Sequence, residues 1–247
     1  MFNKLFDKTK ISEQVKSGDI VTQGRADGSW HVVKILAVDN LADNSATAHC
    51  LTYQPSVRKP TVSVIKKLEV YLHHSAIDAA EFLQDWTLIG NSPSTINELS
   101  GFAEYLKRTD FQRYANVTNQ DINALVAEAN RYYQMGLAAS QKRQFAKAIK
   151  LYTTAIEQFP LFFEAIDNRA FVHMDRGQFE QAIRDFQQSL QVNPSGITAF
   201  FTMGECLMQL NRYDEASQVF EAGFLKFPDK KLLFADYYKK AVALQRH

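Results

Sequence analysis

Residues 143–160 read RQFAKAIKLYTTAIEQFP, residues 177–194 read GQFEQAIRDFQQSLQVNP, and residues 211–228 read NRYDEASQVFEAGFLKFP. Phe145, Phe179 and Tyr213 are each 34 residues apart, as are Ala148, Ala182 and Ala216. Tyr152, Phe186 and Phe220 keep the same interval, and so do Pro160, Pro194 and Pro228. Twenty-four residues before each proline stands a small residue, Gly136, Ala170 or Gly204. Columns in register at one period mean a supersecondary unit that buries its apolar face by stacking on copies of itself.

Each unit reads as a helical hairpin. In the second copy, 164–176 gives a first helix and Gly177 the turn. Residues 179–192 give a second helix, stopped at Asn193-Pro194 because proline cannot continue a helix and biases the residue before it away from helical angles. The small column marks where paired helices cross, and the aromatic columns fill the gaps between layers.

These columns resemble the tetratricopeptide repeat family. They are Gly136, Phe145, Ala148, Tyr152, Ala155 and Pro160, then Ala170, Gly177, Phe179, Ala182, Phe186 and Pro194, then Gly204, Tyr213, Ala216, Phe220 and Pro228. Ser189 and Gly223 stand where the family has a second-helix Ala. The resemblance implies an all-α right-handed superhelix over 118–247, with repeats 129–162, 163–196 and 197–230 and a capping helix 231–245. The cap's apolar residues are read as Leu232, Leu233, Ala235, Tyr238, Val242 and Leu244.

The other half differs. Segments 20–23, 30–38, 46–53 and 62–71 are β-rich, with 86–89 as a fifth strand. Asp27-Gly28 marks a hairpin turn and 40–44 the next loop. A small antiparallel β-barrel or bent sheet is expected over 18–92, followed by a helix from 95 to 108 opened by the Thr95/Glu98 capping box, with Ile96, Leu99, Phe102, Ala103 and Leu106 on its apolar face. Residues 93–117 then serve as brace and connection, and a cap at Thr118 or Asn119 begins the repeats. Residues 1–17 are read as an N-terminal helix or arm in which Phe2, Leu5 and Phe6 fit one helical face. The fold class is therefore α+β in two domains. The β segment loosely resembles SH3-like barrels through Gly18-Asp19-Ile20-Val21 and Trp30-His31-Val32-Val33-Lys34-Ile35. That likeness implies an aromatic peptide surface from Trp30, Tyr53 and Tyr71, unless these rings pack the interior.

Composition narrows the function classes. Apolar residues make up 46% and charged residues 22%, which excludes disorder. Residues 1–117 hold 13 Lys+Arg against 13 Asp+Glu, leaving 15 against 14 in 118–247, so no basic stripe for nucleic acid is present. No secretion signal or membrane span is read, and a cytoplasmic protein is expected. Cys50 and Cys206 read as buried small residues. His73 and His74 read as strand neighbours that point to opposite faces, and His31 and His49 could supply partners across a sheet. No Cys or carboxylate stands at ligand spacing, so no metal and no cofactor is expected. Phosphate-loop, nucleophile-elbow and metalloprotease motifs are missing, which argues against an enzyme.

Function then falls to the concave groove that the family lines with each first helix. The resemblance places Asn130, Tyr133, Gln134 and Leu137 there, with Glu164, Asp167, Asn168 and Phe171, and with Thr198, Phe201, Thr202 and Glu205. Some family members grip a chaperone's C-terminal carboxylate with Lys, Asn, Asn, Lys and Arg. The matching positions here are Tyr133, Leu137, Asn168, Thr198 and Thr202, where only Asn168 agrees. A chaperone tail is therefore not the expected partner. An apolar strip flanked by carboxylates suits a protein or peptide with apolar anchors and some basic residues. The expected function is a protein-binding adaptor. The alternatives are a dedicated inhibitor or antitoxin-like protein that recognises one partner through the β domain, and an RNA-binding barrel. Self-association is left open.

Overall fold

The computed structural model describes residues 14–245. The N-terminal face of Phe2, Leu5 and Phe6 lies outside them. The described chain divides into two compact units, the first ending at Asn119 and the second starting at Gln120.

The first unit is built on β1 (Asp19–Gly24), β2 (Trp30–Asn40), β3 (Ala46–Tyr53), β4 (Val70–Asp78) and β5 (Thr87–Asn91), in the order β4-β3-β2-β1-β5 and antiparallel throughout. Two matching loops close the first hairpins. In Arg25-Ala26-Asp27-Gly28-Ser29 and Leu41-Ala42-Asp43-Asn44-Ser45, the Asp side chain accepts from the Ser N–H and hydroxyl. Gly28 and Asn44 take the positive φ, 83° and 68°, which glycine and asparagine tolerate best. The sheet is not closed, because β4 and β5 are its two edges. Of the two forms expected, the open sheet is the one present.

Both faces of the sheet are covered. Val21, Val33, Ile35, Ala48 and Cys50 pack with Ala79 and Phe82 of a 3₁₀ turn (Ala79–Leu83). On the other face Ile20, Val32, Leu36, Leu51 and Tyr53 meet Phe102 and Leu106 of α2, defined below. Alternation along β2 feeds both layers, and a bulge between Ile35 and Ala37 puts the neighbours Leu36 and Ala37 into the same one.

Four local expectations need correction. Residues 62–71 are not one strand: α1 (Val62–Ile65) turns first and β4 begins at Val70. Burial of Ile65, with Val62 packed beside it, overrides the β preference of branched residues. The helix after β5, α2 (Ser100–Thr109), starts five residues later than the capping box implied. The box does form, with Thr95 N 2.7 Å from Glu98 Oε2 and Glu98 N 3.3 Å from Thr95 Oγ1, but it closes a turn ahead of the helix and leaves Ile96 82% exposed. The segment read as a connection contains α3 (Phe111–Val117), with Phe111 and Ala115 buried. The repeats begin at Asp121, whose side chain accepts from Asn123 N, and not at Thr118 or Asn119.

The second unit is a helical superhelix. It comprises α4 (Ile122–Gln141), α5 (Phe145–Gln158), α6 (Phe163–Asp175), α7 (Phe179–Val192), α8 (Ile197–Gln209), α9 (Tyr213–Lys226) and α10 (Lys231–Leu244). The small column has its steric reason: a Cβ on Gly136 would lie 2.6 Å from the Tyr152 ring, and one on Gly204 2.6 Å from the Phe220 ring. Each hairpin closes identically. Arg143, Gly177 and Asn211 have φ of 57°, 69° and 58°, and the next N–H (Gln144, Gln178, Arg212) donates to Ala139, His173 and Leu207 respectively. That is a Schellman motif repeated at the 34-residue period.

The cap is set differently from expectation. Leu232, Leu233, Tyr238 and Leu244 are exposed, whereas Phe234 and Ala241 are buried and Tyr237 packs beside them. Phe234 and Ala241 are seven apart, two turns on one face. The ring of Phe234 sits where a Cβ on Gly223 would stand, which accounts for Gly in that repeat.

Candidate partner-binding surface

The twelve positions expected to line a groove fall on α4, α6 and α8, the first helix of each hairpin. Asn130, Gln134, Glu164 and Thr198 are exposed; Tyr133, Leu137, Asp167, Asn168, Phe171, Phe201 and Glu205 are half-buried; Thr202 is buried. Asn168 Nδ2 donates to Tyr133 Oη at 3.3 Å and to the Glu164 carbonyl at 2.8 Å, so α4 and α6 are tied at this surface. The Tyr133 ring lies 4.8 Å from Phe162. Burial pushes the Tyr133 phenol up, and the Glu164 carboxylate adds to this. Burial also raises the Asp167 carboxyl, with Glu164 repulsion in the same sense, against a lowering by the Ser189 hydroxyl.

The two phenylalanines are anchored by the stack as well as shown to the surface. Phe171 meets Phe186 edge-on at 5.4 Å. Phe201 contacts Phe220, Phe234 and Tyr237, the last at 4.6 Å. Tyr237 of α10 also answers to Glu205, whose carboxylate and hydrogen bond add to the burial that raises its phenol. Sequence reasoning missed Tyr237. Its signal was the spacing Phe234, Tyr237, Ala241, which puts it on the packed face of the cap.

The twelve positions carry three carboxylates (Glu164, Asp167, Glu205) and no cation. The nearby guanidinium on α6 is engaged elsewhere: Arg169 donates to both Asp185 oxygens at 2.9 and 2.7 Å and to Thr153 Oγ1 at 3.0 Å.

In the first unit the three expected aromatics do not form one surface. Tyr53 is buried and donates to Glu98 Oε1 at 2.9 Å. Trp30 is half-buried under Lys59, 5.3 Å from its ring, and Tyr71 is exposed on edge strand β4. Strand β3 is covered on both faces, so its aromatic packs inward. Of the four histidines, His49 and His74 meet at 2.9 Å, while His31 packs on Trp86. No metal-holding cluster of His, Cys, Asp or Glu occurs among the described residues. A cavity of about 560 Å³ lies beside Lys34, Tyr53 and Glu98. The Lys34 and Glu98 charges answer each other: Lys34 Nζ reaches both Glu98 oxygens at 3.0 Å, Pro93 O and Ser92 Oγ.

Comparison with known proteins bears on the repeats. Tetratricopeptide repeat models match residues 129–160 and 173–243. The chain is 31% identical over 121 residues to photosystem I assembly protein Ycf3 of Acaryochloris marina, covering 47% of this chain and 70% of that protein. The chain belongs to the tetratricopeptide repeat family. It is also 25% identical over 151 residues to Hsp70-Hsp90 organizing protein 3 of Arabidopsis thaliana, covering 61% of this chain and 25% of that protein. The chain thus spans about a quarter of the length of that relative. Among solved structures, the Arabidopsis OM64 tetratricopeptide domain aligns at 25% identity and a TM-score of 0.42, over 50% of this chain and 98% of that one. No helix among the described residues is long and apolar enough to cross a membrane.

Proposed function

We propose that this tetratricopeptide protein is a non-enzymatic adaptor whose first helices receive a peptide or helix with apolar anchors and basic side chains. The observation that carries this reading is the sign of the surface: three carboxylates and no cation, beside Tyr133, Leu137, Phe171 and Phe201. Opposite charge steers encounter and excludes like-charged partners. At the positions where family members hold a C-terminal carboxylate, this chain has Tyr133, Leu137, Asn168, Thr198 and Thr202, and Asn168 is already bonded to Tyr133 and Glu164. A peptide ending in acidic residues would meet Glu164 and Asp167 with no cation to answer it.

The test uses the full chain and two fluorescent peptides, one an amphipathic Lys/Leu/Phe helix and one an acidic peptide with a free C-terminus. The basic peptide is expected to bind, and Glu164→Lys/Glu205→Lys to weaken it about tenfold or more, two partly exposed pairs each being worth about 1 kcal/mol. These sites are preferred to Phe171 and Phe201, whose rings also hold the stack. Tighter binding of the acidic peptide, or an unchanged affinity in the reversed variant, overturns the reading.

A further inference from the structure

Strands β2, β3 and β4 and helix α3 converge on four polar side chains. Arg113 Nη1 donates to both oxygens of Asp39 at 2.7 Å. His49 Nε2 stands 3.1 Å from Asp39 Oδ2, and His49 Nδ1 stands 2.9 Å from His74 Nε2. These partners fix the protons. An ionised carboxylate only accepts, so His49 carries its proton on Nε2, and neutral His49 then accepts at Nδ1 from His74 Nε2–H. Donation runs from His74 to His49 to Asp39, with Arg113 closing the far end.

This chain admits one further proton and not two. A first added proton leaves one N–H facing one lone pair between the rings. A second sets N–H against N–H across 2.9 Å, so the bond is lost and two like charges stand in contact. Water reaches the pair only from the half-buried His74 side: His49 is 2% exposed, and both rings lie against Phe102 and Tyr105 of α2 at 4.7–5.6 Å. Asp39 is the carboxylate facing the pair from β2, Arg113 the cation from α3, and Tyr105 the phenol from α2. Glu104, Lys107 and Arg108 on α2 and His73 on β4 form no ion pair with either imidazole among the described residues.

We propose that the His49–His74 pair is a proton-controlled latch that holds α2 and α3 on the sheet and releases them in mildly acidic conditions. Arg113 links the latch to the helices, because its guanidinium binds Asp39 and lies 5.1 Å over the Phe102 ring. Burial, and then electrostatic repulsion across the pair, holds His74 below the ordinary histidine value. A base depressed in the folded state contributes its stability above its unfolded value, near 6.5, and loses it as pH falls below that. One proton taken up on release limits the opening constant to about a tenfold rise per pH unit.

The experiment is amide hydrogen exchange on the full chain at pH 7.5 and 5.5, corrected for intrinsic rates. Amides of residues 102–117 are expected to lose about tenfold protection at pH 5.5, while helices of 129–226 keep theirs. His74→Gln retains an N–H donor for His49 but does not titrate, so it should keep the pH 7.5 protection and lose the pH effect. If that variant unfolds, nitrogen-detected titration of the wild-type imidazoles decides, with one ring expected to stay neutral at pH 5.5. Equal protection at the two pH values, a pH effect that persists in His74→Gln, or both rings charging together with α2 and α3 still protected would overturn the latch.

Discussion

Arg169 and Asp185 meet fork to fork across α6 and α7, with Nε and Nη2 2.9 and 2.7 Å from the two carboxylate oxygens. Both side chains are largely buried, and the third guanidinium nitrogen bonds Thr153 of α5, so one residue ties three successive helices. Truncating one partner leaves the other charged and dry. Arg169→Ala should therefore lower unfolding free energy by about 3–5 kcal/mol, read from urea titration of the full chain. Arg169→Lys should recover less than half of that loss, since an ammonium cannot span both oxygens and Thr153.

The repeated hairpin closure gives a stabilising change. Arg143 holds a left-handed φ of 57° that costs a side-chain-bearing residue about 1 kcal/mol, whereas its equivalent in the second repeat is Gly177. Arg143→Gly should raise Tm by a few degrees, about 0.5–1 kcal/mol. Gly177→Ala should lower stability by a similar amount, although nothing lies within 4 Å of its added methyl, which isolates the backbone contribution.

Elsewhere the small column is steric. Gly136→Ala and Gly204→Ala gain helix propensity, about 1 kcal/mol. Each also drives a methyl to 2.6 Å from a buried ring that has no room to retreat. Overpacking should win, for a net loss of about 1–3 kcal/mol in thermal or urea unfolding. A neutral or stabilising result would show that the layers part easily.

The buried Lys34–Glu98 pair gives the first unit an acid limit. Burial raises the Glu98 carboxyl, but this is outweighed by the Thr95 N–H, the Lys34 ammonium and the Tyr53 hydroxyl, so it titrates below its usual 4.5. Its stabilisation is complete above that value and is lost as pH falls through the lowered one. Glu98→Gln should flatten the acid limb of stability below pH 4.5. It should also cost about 3 kcal/mol at neutral pH, because Lys34 is left buried without its counter-charge.

The repeats were legible in the sequence because each unit packs only on its neighbours, so the period of the chain is the period of the contacts. Helix α7 matched its expected span of 179–192 for that reason. The cap was expected over 231–245 and runs Lys231–Leu244, but its packed face escaped because a terminal helix has one packed side and no copy to align with, and its exposed Leu232 and Leu233 outweigh Phe234 in composition. In the first unit β3 was legible from local pattern alone, whereas α1 forms from the same branched residues that favour strands. The Arg143, Gly177, Asn211 column was hidden because three unlike side chains share one backbone angle. The His49–His74 contact depends on the register of β3 against β4, which no spacing between residues 49 and 74 reveals.

The two matching Asx-tied loops carry a kinetic consequence. Strands β1, β2 and β3 are joined by loops of five residues, so their ladders can zip from local contacts. Strand β5 reaches β1 by pairing Asp19 with Asn91, across some seventy residues of intervening chain. Closing so long a loop costs entropy before any contact rewards it, so the three-stranded meander should form early and β5 should join late. In the native protein β5, an edge strand with Leu88 58% exposed, should exchange its amides ahead of the central strands, with the Asn91 side chain, bonded to the Ser17 carbonyl and to Asp19, slowing the opening at its end.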